Sequence, residues 1–322
     1  ADAAAGAAPR ALLLRGTDGG AFCAGGDVKS LAKAVQEDPE SGLPLLQLRL
    51  EYRSIMALHR HAEENHAVCF MDGICMGYGL GLAKEASFRV ATERSLLAMP
   101  ECAIGILPDV GFSHFARSLP KGLGLCMALT GWRVRGAEAL GLGLATHFVP
   151  SSQLEQLQRL LESLDWGDPC RAAEGCRAAL AAASAPPGPP HPLLPHIARV
   201  FGDARAVGDA SAALSELAGD GRAPEEAREW AAQRLLGLEG GCPRAQEAAL
   251  RLVRLAELDP SLERALDRDL AVMSHLLWGP FRADFLEGVR AALVDKDRSP
   301  RWSCTAAEAA AEDVGLLLEH RL

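Results

Sequence analysis

The sequence predicts an α/β layer fold that ends in a mostly helical region. From Ala11 to Val149, short apolar runs bounded by turn residues alternate with helical spacings, the pattern of strands layered with helices. Two of these stretches, Ala21–Asp27 and Asp72–Leu82, are glycine-rich where a strand gives way to a helix. From about Val207 the apolar spacing is helical throughout, interrupted at Gly219-Asp220-Gly221, Gly240-Gly241 and Asp259-Pro260, all of them helix-ending turn formers.

Taken in order, Ala11–Arg15 is apolar and bounded by Gly16 and Asp18-Gly19-Gly20, which predicts a buried strand ending in a loop. Val28–Val35 is spaced as a helix, and Asp38–Pro44 is a polar break. Leu46, Leu48, Leu50, Ile55, Met56 and Leu58 predict a second helix, with Glu51-Tyr52 in its middle. Ala67–Met71, Phe88–Thr92 and Ser95–Met99 read as strands, and Ala145–Val149 as the last one. Phe112–Leu119, Leu123–Thr130 and Gly136–Leu142 are helical, and Ser152–Leu164 is a polar helix. The proline-rich run Ala185–Pro195 predicts a stiff extended connector. Composition thus divides the chain into an α/β core at 1–165, a Pro/Ala-rich connector at 166–205 and a helical C-terminal region at 206–322.

Several classes of function are excluded by composition. With 49% hydrophobic residues in 322, the chain buries a core rather than staying disordered. A net charge of −9 argues against a DNA partner, which a basic face would attract. No apolar run approaches the roughly 18 residues of a membrane span, so no membrane partner is expected. The nine cysteines follow no metal-ligand spacing, and an odd, scattered set predicts reduced thiols in an intracellular compartment. His59, His61 and His66 do not share one helical face, so that cluster predicts a solvated helix end rather than a metal site. The second glycine run does not match Gly-x-Gly-x-x-Gly, and no acidic residue follows at the distance a nicotinamide site requires.

The chemistry concentrates in Met99–Phe112. Glu101 and Asp109 lie there among apolar residues, where an ionised carboxylate is costly unless partnered or used chemically. Asp109, after Pro108, also has the position of a helix cap. Glycines at helix starts let a ligand oxygen approach main-chain N–H groups that have no intrahelical partner, and two such turns facing each other would form an oxyanion hole.

Six segments carry a resemblance: Ala21-Phe-Cys-Ala-Gly-Gly-Asp27, Asp72–Leu82, Phe88–Glu93, Ala98–Gly111, Gly143–Pro150 and the closing Glu287–Trp302. Together they resemble the 3-hydroxyisobutyryl-CoA hydrolase family, a branch of the crotonase (enoyl-CoA hydratase/isomerase) superfamily. The resemblance implies a crotonase-like spiral of ββα units with a mostly helical C-terminal region. It implies that the N–H groups of Gly26 and Tyr78 donate to a thioester carbonyl, with Tyr78 replacing the usual middle glycine. Glu51 would contact substrate. Glu101 and Asp109 would divide hydrolysis between them, one activating water or attacking the acyl carbon, the other holding the substrate hydroxyl or shuttling a proton. Gly81 stands where hydratases carry a second glutamate, which favours thioester hydrolysis over hydration.

The implied partner is a small acyl-CoA, with CoA part of the substrate and no cofactor. Self-association and a mitochondrial location in valine degradation are further expectations, with a peroxisome, where the resemblance places some plant relatives, as the alternative; the terminal His320-Arg321-Leu322 is only a poor approximation to a Ser-Lys-Leu address. The resemblance further implies an opening strand-helix-strand portion that helps bind CoA, of which this sequence is expected to hold only the final strand. Two other readings remain: a catalytically silent scaffold, such as a small-subunit component of the mitochondrial ribosome, and an enoyl-CoA hydratase or isomerase.

Overall fold

The structure, a computed structural model, describes residues 11–17, 20–38, 42–167, 169–186 and 188–312. The Asp18-Gly19 turn and the terminal His320–Leu322 lie outside them. Two compact units are interleaved along the chain. A sheet unit comprises Ala1–Ala24, Ser54–Leu97 and Val134–His191, and a helical unit comprises Gly25–Arg53, Ala98–Arg133 and Pro192–Leu322.

Among the described residues there are eight strands: β1 (Ala11–Arg15), β2 (Ala21–Cys23), β3 (His66–Met71), β4 (Ile74–Met76), β5 (Phe88–Ala91), β6 (Leu96–Ala98), β7 (Val134–Arg135) and β8 (His147–Phe148). They form two sheets, ordered β1-β3-β5-β8 and β2-β4-β6-β7. The first is parallel throughout, with Ala11 opposite His66, Val68 opposite Phe88 and Val90 opposite His147. Parallel strands covered by helices read as continuous apolar runs, which is why β3 was visible in the sequence. Val68, Phe70, Val90 and Val149 pack with Leu157, Leu161, Cys176 and Leu180 from the helices Leu154–Glu162 and Pro169–Ala183. In the second sheet β2 and β4 are parallel, and β6 and β7 antiparallel.

Three strands were not expected: β2, β4 and β7. At two or three residues each they are too short to show a period, and pairing rather than propensity defines them. The connector at 166–205 also needs correction. Its alanine-rich half is the helix Pro169–Ala183, and a second helix, Leu194–Phe201, begins inside the proline run. Pro195 is tolerated there because the first helical turn has no use for its missing N–H. The described residues between 185 and 193 are non-helical, as the prolines require.

In the helical unit, Val28–Glu37 is capped by Asp27, whose Oδ1 accepts the Ser30 N–H at 3.1 Å. The helices Val207–Gly219, Glu225–Gly240 and Pro243–Leu258 end at the glycine and Asp-Pro breaks read from the sequence, and Leu262–Leu277 follows the last of them. Pro243–Leu258 packs on Phe112–Ala116 and Leu123–Thr130. Leu123, Leu125, Cys126 and Met127 are all within about 1% of full burial there. One helix, Leu43–Glu64, gives its first half to this unit and its second half to the sheet unit. Among the described residues no helix is long and apolar enough to cross a membrane.

Candidate active site

Four of the five expected site residues, Gly26, Glu51, Glu101 and Asp109, belong to the helical unit. Glu101 opens the short 3-10 turn Glu101–Ile104 after Pro100 and is buried, at 7% exposure. The turn is fixed by backbone: the Cys242 N–H donates to the Cys102 carbonyl at 2.8 Å. The helix Arg282–Val289 lies directly against it. Oε2 of Glu101 is buried without a hydrogen-bond partner among the described residues. Burial, with the charge of Asp109 added, pushes this carboxyl well above the ordinary carboxylate range.

Asp109 does not cap the helix that follows it. The cap residue of Phe112–Ala116 is Gly111, with no side chain to offer. The Asp109 side chain turns inward instead, and its Oδ2 accepts the Tyr52 hydroxyl at 2.7 Å in a buried bond. The chain makes that turn through two left-handed residues, Val110 at φ 53° and Gly111 at φ 70°. A buried, β-branched residue in this region is strained by about 1–3 kcal/mol and persists only where its surroundings hold it. The Gly111 N–H donates to Oδ2 of Asp269 at 2.7 Å. Burial is the largest influence on Asp109, the charge of Glu51 adds to it, and the Tyr52 bond opposes both; the carboxyl is pushed up to about 7. The Tyr52 phenol is itself pushed well above its ordinary value, by burial first and then by Asp109 and Asp269, so it stays protonated and donates.

Glu51 precedes Tyr52 on the same helix and is half-buried, with Oε1 accepting from Gln47 Nε2 at 3.0 Å. Burial raises its carboxyl above the ordinary range, while the Gln47 bond opposes the rise. Gly26 lies beside it: a Cβ added there would be 3.6 Å from Glu51 Oε1. The fifth residue, Tyr78, belongs to the sheet unit. It is the first residue of the helix Tyr78–Ala83 after Gly77, so its N–H has no intrahelical acceptor. Its hydroxyl shares a 2.6 Å hydrogen bond with Ser54 Oγ.

Glu101 and Asp109 are thus two buried carboxyls of the helical unit, both held toward their protonated forms. Two members of the site were missed as functional candidates: Tyr52, which holds Asp109, and Asp269, which holds the turn after it. A signal for Asp269 was present, since it occupies the apolar stripe Leu262, Ala265, Leu266, Val272, Met273, Leu276.

His59 Nδ1 bonds Glu85 Oε2 at 2.8 Å, and Lys84 pairs with the same carboxylate. Among the described residues no group of three His, Cys, Asp or Glu side chains is placed to hold a metal ion. All nine cysteines are free thiols. A cavity of about 250 Å³ in the sheet unit, lined by Arg15, Thr17, Phe70, Asp72, Arg94 and Ser151 among others, holds none of the five residues.

A family model described as enoyl-CoA hydratase/isomerase matches residues 2–315. The chain is 35% identical over 292 residues to 3-hydroxyisobutyryl-CoA hydrolase 1 of Arabidopsis thaliana, covering 90% of this chain and 74% of that protein. It is 32% identical over 304 residues to the mitochondrial 3-hydroxyisobutyryl-CoA hydrolase of Gallus gallus, covering 94% and 74%. Among solved structures, a carnitinyl-CoA dehydratase from Mycobacterium thermoresistibile superposes with a TM-score of 0.78 at 32% identity, over 97% of this chain and 84% of that one. An enoyl-CoA hydratase from Rhodobacter sphaeroides 2.4.1 gives a TM-score of 0.73 at 29% identity, over 96% and 84%. With its α/β fold matched over nearly its whole length, the chain belongs to the enoyl-CoA hydratase/isomerase, or crotonase, family.

Proposed function

We propose that this protein hydrolyses a short acyl-CoA thioester, with 3-hydroxyisobutyryl-CoA as the first substrate to test, and that Glu101 and Asp109 carry the reaction. The observation that supports this most is the pair itself: two buried carboxyls in one unit, both held above the ordinary range, one with an unpartnered oxygen. A carboxyl at about 7 is half ionised at neutral pH, which suits a general base. Asp109 takes a proton from water as the water oxygen bonds to the acyl carbon. The tetrahedral intermediate then collapses, the C–S bond breaks, and the CoA sulfur leaves as a thiol with that proton. Glu101, held protonated by burial, donates a hydrogen bond to the substrate hydroxyl or the developing oxyanion. Glu51 and the Gly26 N–H contact the substrate in this proposal.

A mitochondrial location and a place in valine degradation belong to the same proposal, supported by relatives whose names say mitochondrial, from Gallus gallus and Xenopus tropicalis. A hydratase reading is favoured by the names of the two solved neighbours, a dehydratase and a hydratase. Against it, Gly81 offers no side chain where a second acid would act. Thiol release from a panel of short acyl-CoAs, run beside crotonyl-CoA hydration, separates the readings. Thiol release that depends on Glu101 supports hydrolysis, hydration alone favours the second reading, and no turnover of either leaves the scaffold.

A further inference from the structure

Asp269 is fully buried, at 0% exposure, on the helix Leu262–Leu277. An apolar side chain would fill that stripe at no electrostatic cost, yet the position holds a carboxylate, which is expensive to bury. Its Oδ2 accepts the backbone N–H of Gly111 at 2.7 Å across 158 residues of sequence. The bond falls two residues after Asp109, at the point where Val110 and Gly111 are both left-handed. Asp109 in turn meets Tyr52 at 2.7 Å. Helix Leu262–Leu277, the Asp109–Gly111 turn and helix Leu43–Glu64 are thereby joined by two consecutive buried bonds, with Asp109 in the middle.

We infer that Asp269 is a positioning residue for Asp109: by holding the Gly111 N–H it keeps the Val110–Gly111 turn left-handed and so keeps the Asp109 carboxyl on Tyr52. The inference rests on Asp109 being a working carboxyl of the proposed reaction, and its test includes a measurement that does not depend on turnover. The acids facing the Tyr52 phenol are Asp109, Asp269 and Glu51, and Glu101 faces Asp109. All three acids around the phenol favour its protonated, donating form.

The chain contains two tyrosines, Tyr52 and Tyr78, so ring-carbon labelling of tyrosine gives two NMR signals, and Tyr78→Phe assigns them. The Tyr52 signal should inflect with pH as Asp109 ionises, and Asp109→Asn should remove that inflection. Asp269→Ala should reduce the inflection at least about twofold and lower kcat by about 10- to 100-fold with KM little changed, as expected of a displaced catalytic group. Asp269→Asn keeps an acceptor oxygen for Gly111 and should restore both. An unchanged inflection and kcat in folded Asp269→Ala overturns the inference, as does a folded Asp269→Asn no better than alanine. If the alanine variant does not fold, hydrogen exchange at the Gly111 amide in Asp269→Asn decides: slow exchange supports the contact and about tenfold faster exchange overturns it. Absence of thioesterase activity in the wild-type protein defeats the hydrolase reading, while the tyrosine titration still decides the role of Asp269.

Discussion

Gly288 and Ile104 meet backbone to backbone. A Cβ on Gly288 would lie 2.4 Å from the Ile104 carbonyl carbon, inside any permitted contact. Gly105, at φ 77°, meets the same helix, where a Cβ would be 2.5 Å from the Asp284 backbone carbonyl oxygen. The closing segment of the chain therefore seats the turn that carries Glu101 with no side chain between them. Gly288→Ala should destabilise the protein by about 1–3 kcal/mol, the usual cost of overpacking, and urea unfolding measures it.

The raised carboxyl of Asp109 has a consequence for stability. Its ordinary value is 3.8 and in the folded protein it is about 7, so folding binds its proton more tightly. The stability this contributes is fully present below about pH 4 and is lost as pH rises to about 7, a change of about 4 kcal/mol. Asp109→Asn removes that dependence. Its thermal midpoint should exceed that of the wild type at pH 8 and show no such gain at pH 4, as scanning calorimetry at the two pH values would record. A functional carboxyl that costs stability is an expected trade.

Tyr52→Phe removes the donor that favours ionised Asp109, so the carboxyl should rise further. The acidic limb of the kcat/KM profile should then move to higher pH, with a larger loss of activity at pH 6.5 than at pH 8.5. Pre-steady-state or steady-state pH profiles of the two proteins check the direction. A limb that moves to lower pH contradicts the assignment of the bond.

Arg244 is buried and binds Asp284 at 2.8 Å, while its other nitrogens bind Glu312. Asp284 also accepts the Ser303 N–H at 2.7 Å. Arg244→Ala leaves the Asp284 carboxylate buried without its countercharge and should cost about 3–5 kcal/mol. Arg244→Ala combined with Asp284→Ala should cost less than the sum of the two single changes, as a double-mutant cycle would show.

What could be read from the sequence follows physical scale. β3 was legible because a strand buried on both faces is a continuous apolar run, and the C-terminal helices were legible because glycine and Asp-Pro breaks punctuate them. β2, β4 and β7 were not, since two or three residues carry no period. Glu101 and Asp109 stood out as acids in apolar company, but the partner of Asp109 was misread. The local pattern after Pro108 suggested a cap, whereas Tyr52, 57 residues earlier, takes its side chain. The partner of Asp269 was hidden for the same reason: its bond spans 158 residues, and the sequence signals it only as one acid in an apolar stripe.

The central claim is that Glu101 and Asp109 break a thioester with water. The most direct measurement is thiol release from 3-hydroxyisobutyryl-CoA at pH 8 by wild-type, Glu101→Ala and Asp109→Asn proteins, each shown by circular dichroism to be folded. The account predicts steady release by the wild type and a loss of about 100-fold or more in each variant, the usual weight of a positioned acid or base. Release by either folded variant at the wild-type rate would contradict it.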